Sequence, residues 1–289
     1  MTIEVAHSEV ESFLICERRH FYNYGLKIRP RQVSIALYRG SLGHLALQIY
    51  YQALIDGKSR QDAEALAYGT VFSGLDDITS VDNIKVQTEL GAILKAYFEF
   101  YAENDYHPVE IERRVKVELD ENTVMPFTID AIMATSKGYL VVDHKFSYNF
   151  FKPDILRILP QLVKYKAALR QVGFEVSGGE YNEIRYQKVQ GVYQFRRTFV
   201  PISSERTART LAEHREVSRR IANRKALEIE EWDRRALRVA NKFSCEKCPF
   251  TDICAGDLDG SSRDLLLDTH YEEAPDRYAG LKVYAGEEE

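Results

Sequence analysis

Residues 127–134, "FTIDAIMA", and 139–146, "YLVVDHKF", are rich in apolar and β-branched side chains and stand only "TSKG" apart. That pattern specifies an antiparallel hairpin. A four-residue loop ending at Gly138 sets Ala134 opposite Tyr139, and counting back sets Asp130 opposite Asp143. Directly opposed side chains have Cβ atoms about 5 Å apart. Two like charges at that spacing repel unless a cation or a shared proton relieves them. Alternation along the strand puts Lys145 on the face of Asp143 and turns His144 away, so His144 offers that side at most its backbone carbonyl.

Two carboxylates and an amine on one face suit metal-assisted cleavage of a phosphodiester. Hard oxygen ligands hold Mg²⁺ or Mn²⁺, the ion acidifies a water, and Lys145 steadies the attacking water or the developing charge. The competing explanation is a surface hairpin carrying an ordinary Asp–Lys pair. D-x-K tripeptides are common by chance, and a slip of one residue in register undoes the arrangement.

The four cysteines make a second constraint. Cys245, Cys248 and Cys254 form "CEKCPFTDIC", whereas Cys16 lies far away in the N-terminal segment. Three clustered thiols want a soft metal and a fourth ligand, for which Cys16 is the leading candidate and His7 and His20 weaker ones. Such a centre closes most of the chain into a loop and staples its ends. Disulfides are the alternative, although C-x2-C in a cytosolic chain more often binds metal. Spacing does not separate zinc from a [4Fe-4S] cluster.

The remaining chain reads as helices followed by strands. Helices are expected over 7–26 (Ser8 and Glu11 as a capping box), 42–55, 60–78 and 84–104. The pattern then turns to period two in "VEIERRVKVEL" and the hairpin. A helix over 155–173, strands over 180–188 and 192–200, a charged helix over 204–240 and an irregular tail follow. This order implies an α/β fold with a helical N-terminal elaboration. Net charge is −5, but residues 257–289 alone carry −7, leaving a mildly basic body. Arginines concentrate in 196–247, either as a solvated helix face or as a nucleic-acid track. No apolar run reaches membrane-spanning length and no secretory signal opens the chain, so a cytoplasmic location without membrane association is expected.

Taken in order, "CERRHFYNYGL" from Cys16, "GSLGH" (Gly40 to His44), "FTIDAI" with Asp130, "VVDHK" with Asp143 and Lys145, "QLVKY" with Gln161 and Tyr165, and the cysteine cluster resemble the iron–sulfur subset of the RecB-like PD-(D/E)xK nucleases. That subset includes the CRISPR-associated adaptation nucleases and the nuclease domains of helicase–nucleases. The resemblance implies a restriction-endonuclease-like mixed sheet flanked by helices, with the cysteine segment stapled to the N-terminal helix. It implies His44, Asp130 and Asp143 as metal ligands, with His144 alongside, and Lys145 as the catalytic lysine. Gln161 and Tyr165 shape the site and contact DNA, and Cys16, Cys245, Cys248 and Cys254 hold a [4Fe-4S] cluster. An imidazole beside two carboxylates favours Mn²⁺ over Mg²⁺ relative to an all-oxygen site. Three departures stand out: Glu17 where a proline is common, Phe127 where a glycine is common, and Asp143 where relatives often have glutamate. None removes a ligand.

The resulting expectation is one nuclease domain over 1–256, comprising a helical part (1–105), a nuclease core (106–202) and a long helix with the iron–sulfur segment (203–256). An acidic tail (257–289) follows. Its expected activity is that of a metal-dependent exonuclease on single-stranded DNA or DNA ends, with CRISPR adaptation, repair, recombination and phage DNA processing all open as its pathway. With no helicase motif in the chain, unwinding falls to a helicase or other processing partner. The alternative is a non-catalytic or redox-responsive iron–sulfur module that binds DNA within a larger complex.

Overall fold

A computed structural model describes residues 3–32, 34–75, 81–103 and 105–274. The chain opens with β1 (Ile3–Glu4), α1 (His7–Ile15), α2 (Glu17–His20), a π-helical turn (Phe21–Gly25) and β2 (Ile28–Pro30). Three helices follow: α3 (Ile35–Ile55), α4 (Arg60–Ser73) and α5 (Val81–Phe100). The strands β3 (His107–Asp120), β4 (Thr123–Thr135) and β5 (Gly138–Ser147) lead to α6 (Pro153–Ile158) and α7 (Gln161–Gln171). Then come β6 (Val176–Val189), β7 (Val192–Val200), α8 (Ser204–Lys225) and α9 (Ile229–Arg235). Short helices α10 (Lys242–Cys245), α11 (Thr251–Asp259) and α12 (Arg263–His270) precede β8 (Tyr271–Glu273).

These elements divide into two compact units, each assembled from separated stretches. One comprises Met1–Gln32, Lys116–Phe127 and Leu211–Glu289; the other comprises Val33–Val115 and Thr128–Thr210. The main sheet runs β1-β4-β5-β6-β7, with β3 pairing β4. It is mixed: β4–β5 and β6–β7 are antiparallel, whereas β5 and β6 are parallel. A parallel pair needs a crossover, and α6 and α7 provide it.

In the second unit, Leu42, Leu47 and Tyr51 of α3 and Leu90, Ile93 and Tyr97 of α5 pack on Ala131, Met133, Leu140, Val142 and Ile184 of the sheet. Complete burial of each such aliphatic side chain favours the fold by roughly 1.5–3 kcal/mol before the entropy of ordering it. The other sheet face takes α7, which approaches so closely that a Cβ at Gly179 would meet the Leu162 side chain at 2.9 Å.

In the first unit, the "ERRHFYNYG" segment is a packing and ion-pair hub. Phe21, Tyr22, Trp232, Phe250 and Tyr271 form its core. Arg18 pairs with Asp233, Tyr22 donates to Asp257 at 2.6 Å, and Arg263 joins Asp233 (2.6 Å) and Asp257 (2.8 Å). Buried His20 bonds Glu9 at 3.0 Å, and Lys225 reaches the same carboxylate at 2.9 Å.

Several expected boundaries shift for physical reasons. The first helix breaks at Cys16, whose backbone is extended (φ −167°, ψ 119°). It starts at His7 behind Ala6 without a side-chain cap, and Ser8 bonds Tyr24 at 3.0 Å, so the Ser8–Glu11 capping box does not form. Ser34 caps α3 and starts it seven residues before Leu42. The expected helix over 155–173 splits at Pro160, which holds Leu159 extended (ψ 133°). The long charged helix stops at Lys225, and Leu227 and Trp232 then turn into the aromatic core of the first unit. Residues 257–274, read as tail, include the end of α11, α12 and β8, while 275–289 lie outside the described residues.

Most of the 196–247 arginines are engaged within the protein. Arg196 pairs with Glu183, Arg197 with Asp105, Arg219 with Asp120, Arg224 with Glu17 and Arg238 with Asp257. Arg215 donates to the Leu119 carbonyl. Among the described residues no helix is long and apolar enough to cross a membrane.

Candidate active site

The hairpin register is the one that the loop arithmetic requires. Ala134 pairs with Tyr139, and pairing continues to Ala131 and Val142, with Asp130 and Asp143 the next residues along. Asp143 is buried at 1% side-chain exposure, and Lys145 Nζ lies 2.7 Å from its Oδ2. Lys145 also donates to Gln161 Oε1 at 2.7 Å, and Gln161 Nε2 donates to Tyr165 OH at 2.8 Å. One turn of α7 thus separates the lysine's support from the tyrosine that orients it.

His44 comes from α3. Its Nδ1 lies 3.3 Å from Asp130 Oδ2, which also accepts the His144 backbone N–H at 2.9 Å. Gly43 allows this approach, because a Cβ there would meet the Phe146 ring at 2.5 Å, whereas one at Gly40 would meet nothing within 4 Å. The glycine beside the histidine, rather than the one opening "GSLGH", is therefore the sterically required one.

The His144 ring is turned into the opposite face. It stacks on Tyr51 (centroids 5.8 Å, 4° between planes), and its Nδ1 lies 2.8 Å from Asn182 Nδ2. Burial drives its pKa down to about 3, so the ring stays neutral. At the site itself, His144 contributes its backbone.

Sequence reasoning missed Glu112. Its φ of 51° is unusual for a strand residue, and its pKa rises from 4.5 to about 7 through burial and then the nearby Asp130 charge. The only signal for it was an acid within the alternating "VEIERRVKVEL". For Asp143, burial raises the pKa; Lys145 opposes this and Asp130 reinforces it, with a net rise. Burial pushes Asp130 the same way, but the His44 charge and the His144 N–H outweigh it and hold Asp130 low. His44 is correspondingly raised: burial lowers it, and Asp130 prevails.

Among the described residues, no three His, Cys, Asp or Glu side chains are grouped closely enough to enclose a metal ion. At this site Lys145 pairs with Asp143 and His44 contacts Asp130, so the two carboxylates are held on separate partners. The donor chemistry nevertheless fits a hard divalent cation. Buried and near-buried carboxylates with one imidazole, one of them pushed toward its neutral form chiefly by burial, are groups whose charged forms a cation would stabilise.

The four cysteines all belong to the first unit and carry free thiols. Cys16 Sγ lies 3.7 Å from the Leu237 carbonyl and accepts the Val239 N–H at 3.4 Å, while Cys245 Sγ reaches the Val239 carbonyl at 3.9 Å. Burial raises the pKa of Cys248, and neighbouring Cys16 and Cys254 add to the rise. Cys16 and Cys245 thus meet the same 237–239 loop, and among the described residues no three of the thiols are grouped closely enough to hold a metal.

The hairpin and α7 thus bring Asp143, Lys145, Gln161 and Tyr165 together, with Asp130 and His44 in contact beside them. The chain belongs to the PD-(D/E)XK nuclease superfamily, which it matches over residues 4–255. A comparison with curated proteins gives no match. Among solved structures it is similar to one described as a "Putative exonuclease" from Eubacterium rectale, at 15% identity and a TM-score of 0.49, with 87% of each chain covered. It is also similar to the structure named SSO0001, at 13% identity and a TM-score of 0.33, covering 73% of this chain and 84% of that one. Likenesses at these scores carry no weight for activity.

Proposed function

We propose that the protein is a metal-dependent DNA exonuclease acting on single-stranded DNA or DNA ends. The single observation that carries this reading is Lys145 held between Asp143 and Gln161, with Asp130 and His44 in contact beside it. Asp130, Asp143 and His44, with the His144 carbonyl alongside, are the residues that would hold Mg²⁺ or Mn²⁺. When bound, that ion supplies charge neutralisation at the scissile phosphate and acidifies a water.

The chain's own groups do the rest. Lys145 directs its amine at the attacking water and at the charge developing on phosphate oxygens. Gln161 fixes the lysine rotamer, and Tyr165 fixes the amide of Gln161, so the amine is oriented before substrate arrives. Burial of Asp143 excludes bulk water from the carboxylate that pairs with that amine.

For Cys16, Cys245, Cys248 and Cys254, the reading is a structural [4Fe-4S] cluster. The contacts of Cys16 and Cys245 with the 237–239 loop and the nearness of Cys248 to Cys16 and Cys254 support it, and zinc is the rival occupant. A helicase or other processing protein would supply single strands.

The test is degradation of end-labelled single-stranded DNA by purified protein with Mn²⁺. Activity should fall by at least about 10²-fold in Asp143→Asn and Lys145→Ala. Wild-type rates in both variants would refute the site. DNA binding without any metal-dependent cleavage would instead favour a non-catalytic iron–sulfur module.

A further inference from the structure

The face of the sheet opposite the carboxylates carries a buried polar row. His144, Asn182 and Arg197 are register neighbours on β5, β6 and β7. His144 and Asn182 are 3% and 0% exposed. Asn182 Nδ2 lies 2.8 Å from His144 Nδ1 and donates to Tyr97 OH at 2.9 Å. The Tyr97 hydroxyl lies 2.9 Å from that of Tyr51, the ring on which His144 stacks.

The row ends in a rigid anchor. Arg197 donates to Asp105 at 2.9 Å and to Tyr97 OH at 3.3 Å, and its guanidinium lies 3.6 and 3.5 Å from the ring centroids of Tyr101 and Tyr106. Asp105 also accepts from Tyr50 (2.8 Å) and Tyr51 (3.1 Å).

An apolar core would serve packing at least as well, since exchanging a buried hydrogen-bonded pair for matched apolar groups is nearly neutral in stability. A connected polar row instead selects one geometry, because a shifted strand leaves its members unpaired. His144 is the residue between Asp143 and Lys145, and its N–H binds Asp130. Rolling β5 about its axis would therefore swing all three catalytic side chains together.

We propose that Asn182 is a positioning residue: through the His144 ring it fixes the rotation of β5 that presents Asp143 and Lys145 and aims the His144 N–H at Asp130. This inference rests on the nuclease reading above.

The test compares Asn182→Ala and Tyr97→Phe with Val71→Ala, a core truncation of the same unit outside the row. Three quantities are measured: melting temperature, Mn²⁺ affinity by calorimetry, and kcat and KM on labelled single-stranded DNA. Asn182→Ala should weaken Mn²⁺ binding and lower kcat by roughly 10- to 100-fold with KM little changed. Tyr97→Phe, which keeps the ring and supplies the answer should Asn182→Ala not fold, should lose roughly 3- to 10-fold in both. Val71→Ala should lower the melting temperature but leave both at wild-type values. Row variants that lose stability yet match Val71→Ala in Mn²⁺ affinity and kcat would overturn the proposal. A wild-type protein that neither binds Mn²⁺ nor cleaves would overturn the nuclease reading and this inference with it.

Discussion

In the proposed reading, Lys145 is the residue on which the chemistry turns. Its amine is shared between Asp143 and Gln161 at 2.7 Å each, so Lys145→Ala removes both the oriented amine and the charge that opposes Asp143 protonation. The turnover rate should fall by about 10²–10³ or more, measured with Mn²⁺ held saturating. Next to it in consequence is Gly43. Gly43→Ala forces α3 away from Phe146 and should weaken Mn²⁺ binding through His44, whereas Gly40→Ala, with open space at its Cβ, should match wild type in a calorimetric titration. Protonation gives a further test. Asp143 and Glu112 titrate above the ordinary carboxylate range when folded. The folded chain therefore keeps protons that the unfolded chain has released. The stability these groups contribute is full at acid pH and is lost as pH rises through the folded values, near 7 for Glu112. A divalent cation held by Asp143 and Asp130 takes the place of the Asp143 proton and, by its charge, favours ionised Glu112, restoring it. The Mn²⁺-induced rise in melting temperature should accordingly grow between about pH 5.5 and 8, and an increment independent of pH would count against carboxylate ligation.

At the scale of elements, the hairpin was legible because its register follows from two numbers, the loop length and the alternation of side chains. Ala134 facing Tyr139 came from counting alone. Helices α3 and α5 were legible as elements through their apolar spacing, but their ends were not. The α3 start depends on the Ser34 hydroxyl accepting from Leu37 N–H, a local bond that the apolar stripe does not report. Pro160 was visible in the sequence as a helix breaker, yet the 155–173 periodicity ran through it. His44, Gln161 and Tyr165 were reachable by resemblance, since one histidine on a helix and one Gln–Tyr pair have no chemistry until tertiary structure brings them to the hairpin. Glu112 was out of reach, because a left-handed backbone inside a strand leaves no mark on the hydrophobic pattern. Asn182 stayed hidden for a related reason: its partners are assembled from α3, α5, β5 and β7.

For the whole molecule, the informative fact is that Met1–Gln32 and Leu211–Glu289 belong to one unit. Cys16 and the Cys245–Cys254 cluster are thereby elements of the same body, as a staple requires. Concentrated protein purified without oxygen should be yellow-brown and contain iron and sulfide, and Cys16→Ser should lose the colour and melt about 10 °C lower. Colourless protein with stoichiometric zinc would assign the cysteines to the rival metal instead. In the arginine-rich 196–247 stretch, readable as a solvated helix face or a nucleic-acid track, Arg196, Arg197, Arg224 and Arg238 pair with acids of the protein itself. What matters most is whether the two hairpin aspartates share one ion. Crystals grown with Mn²⁺ and measured at its absorption edge answer this directly. The account predicts one anomalous peak about 2.1 Å from carboxylate oxygens of both Asp130 and Asp143 and from a His44 ring nitrogen. A peak away from these residues, or none at saturating Mn²⁺ while Lys145 stays on Asp143, would contradict it.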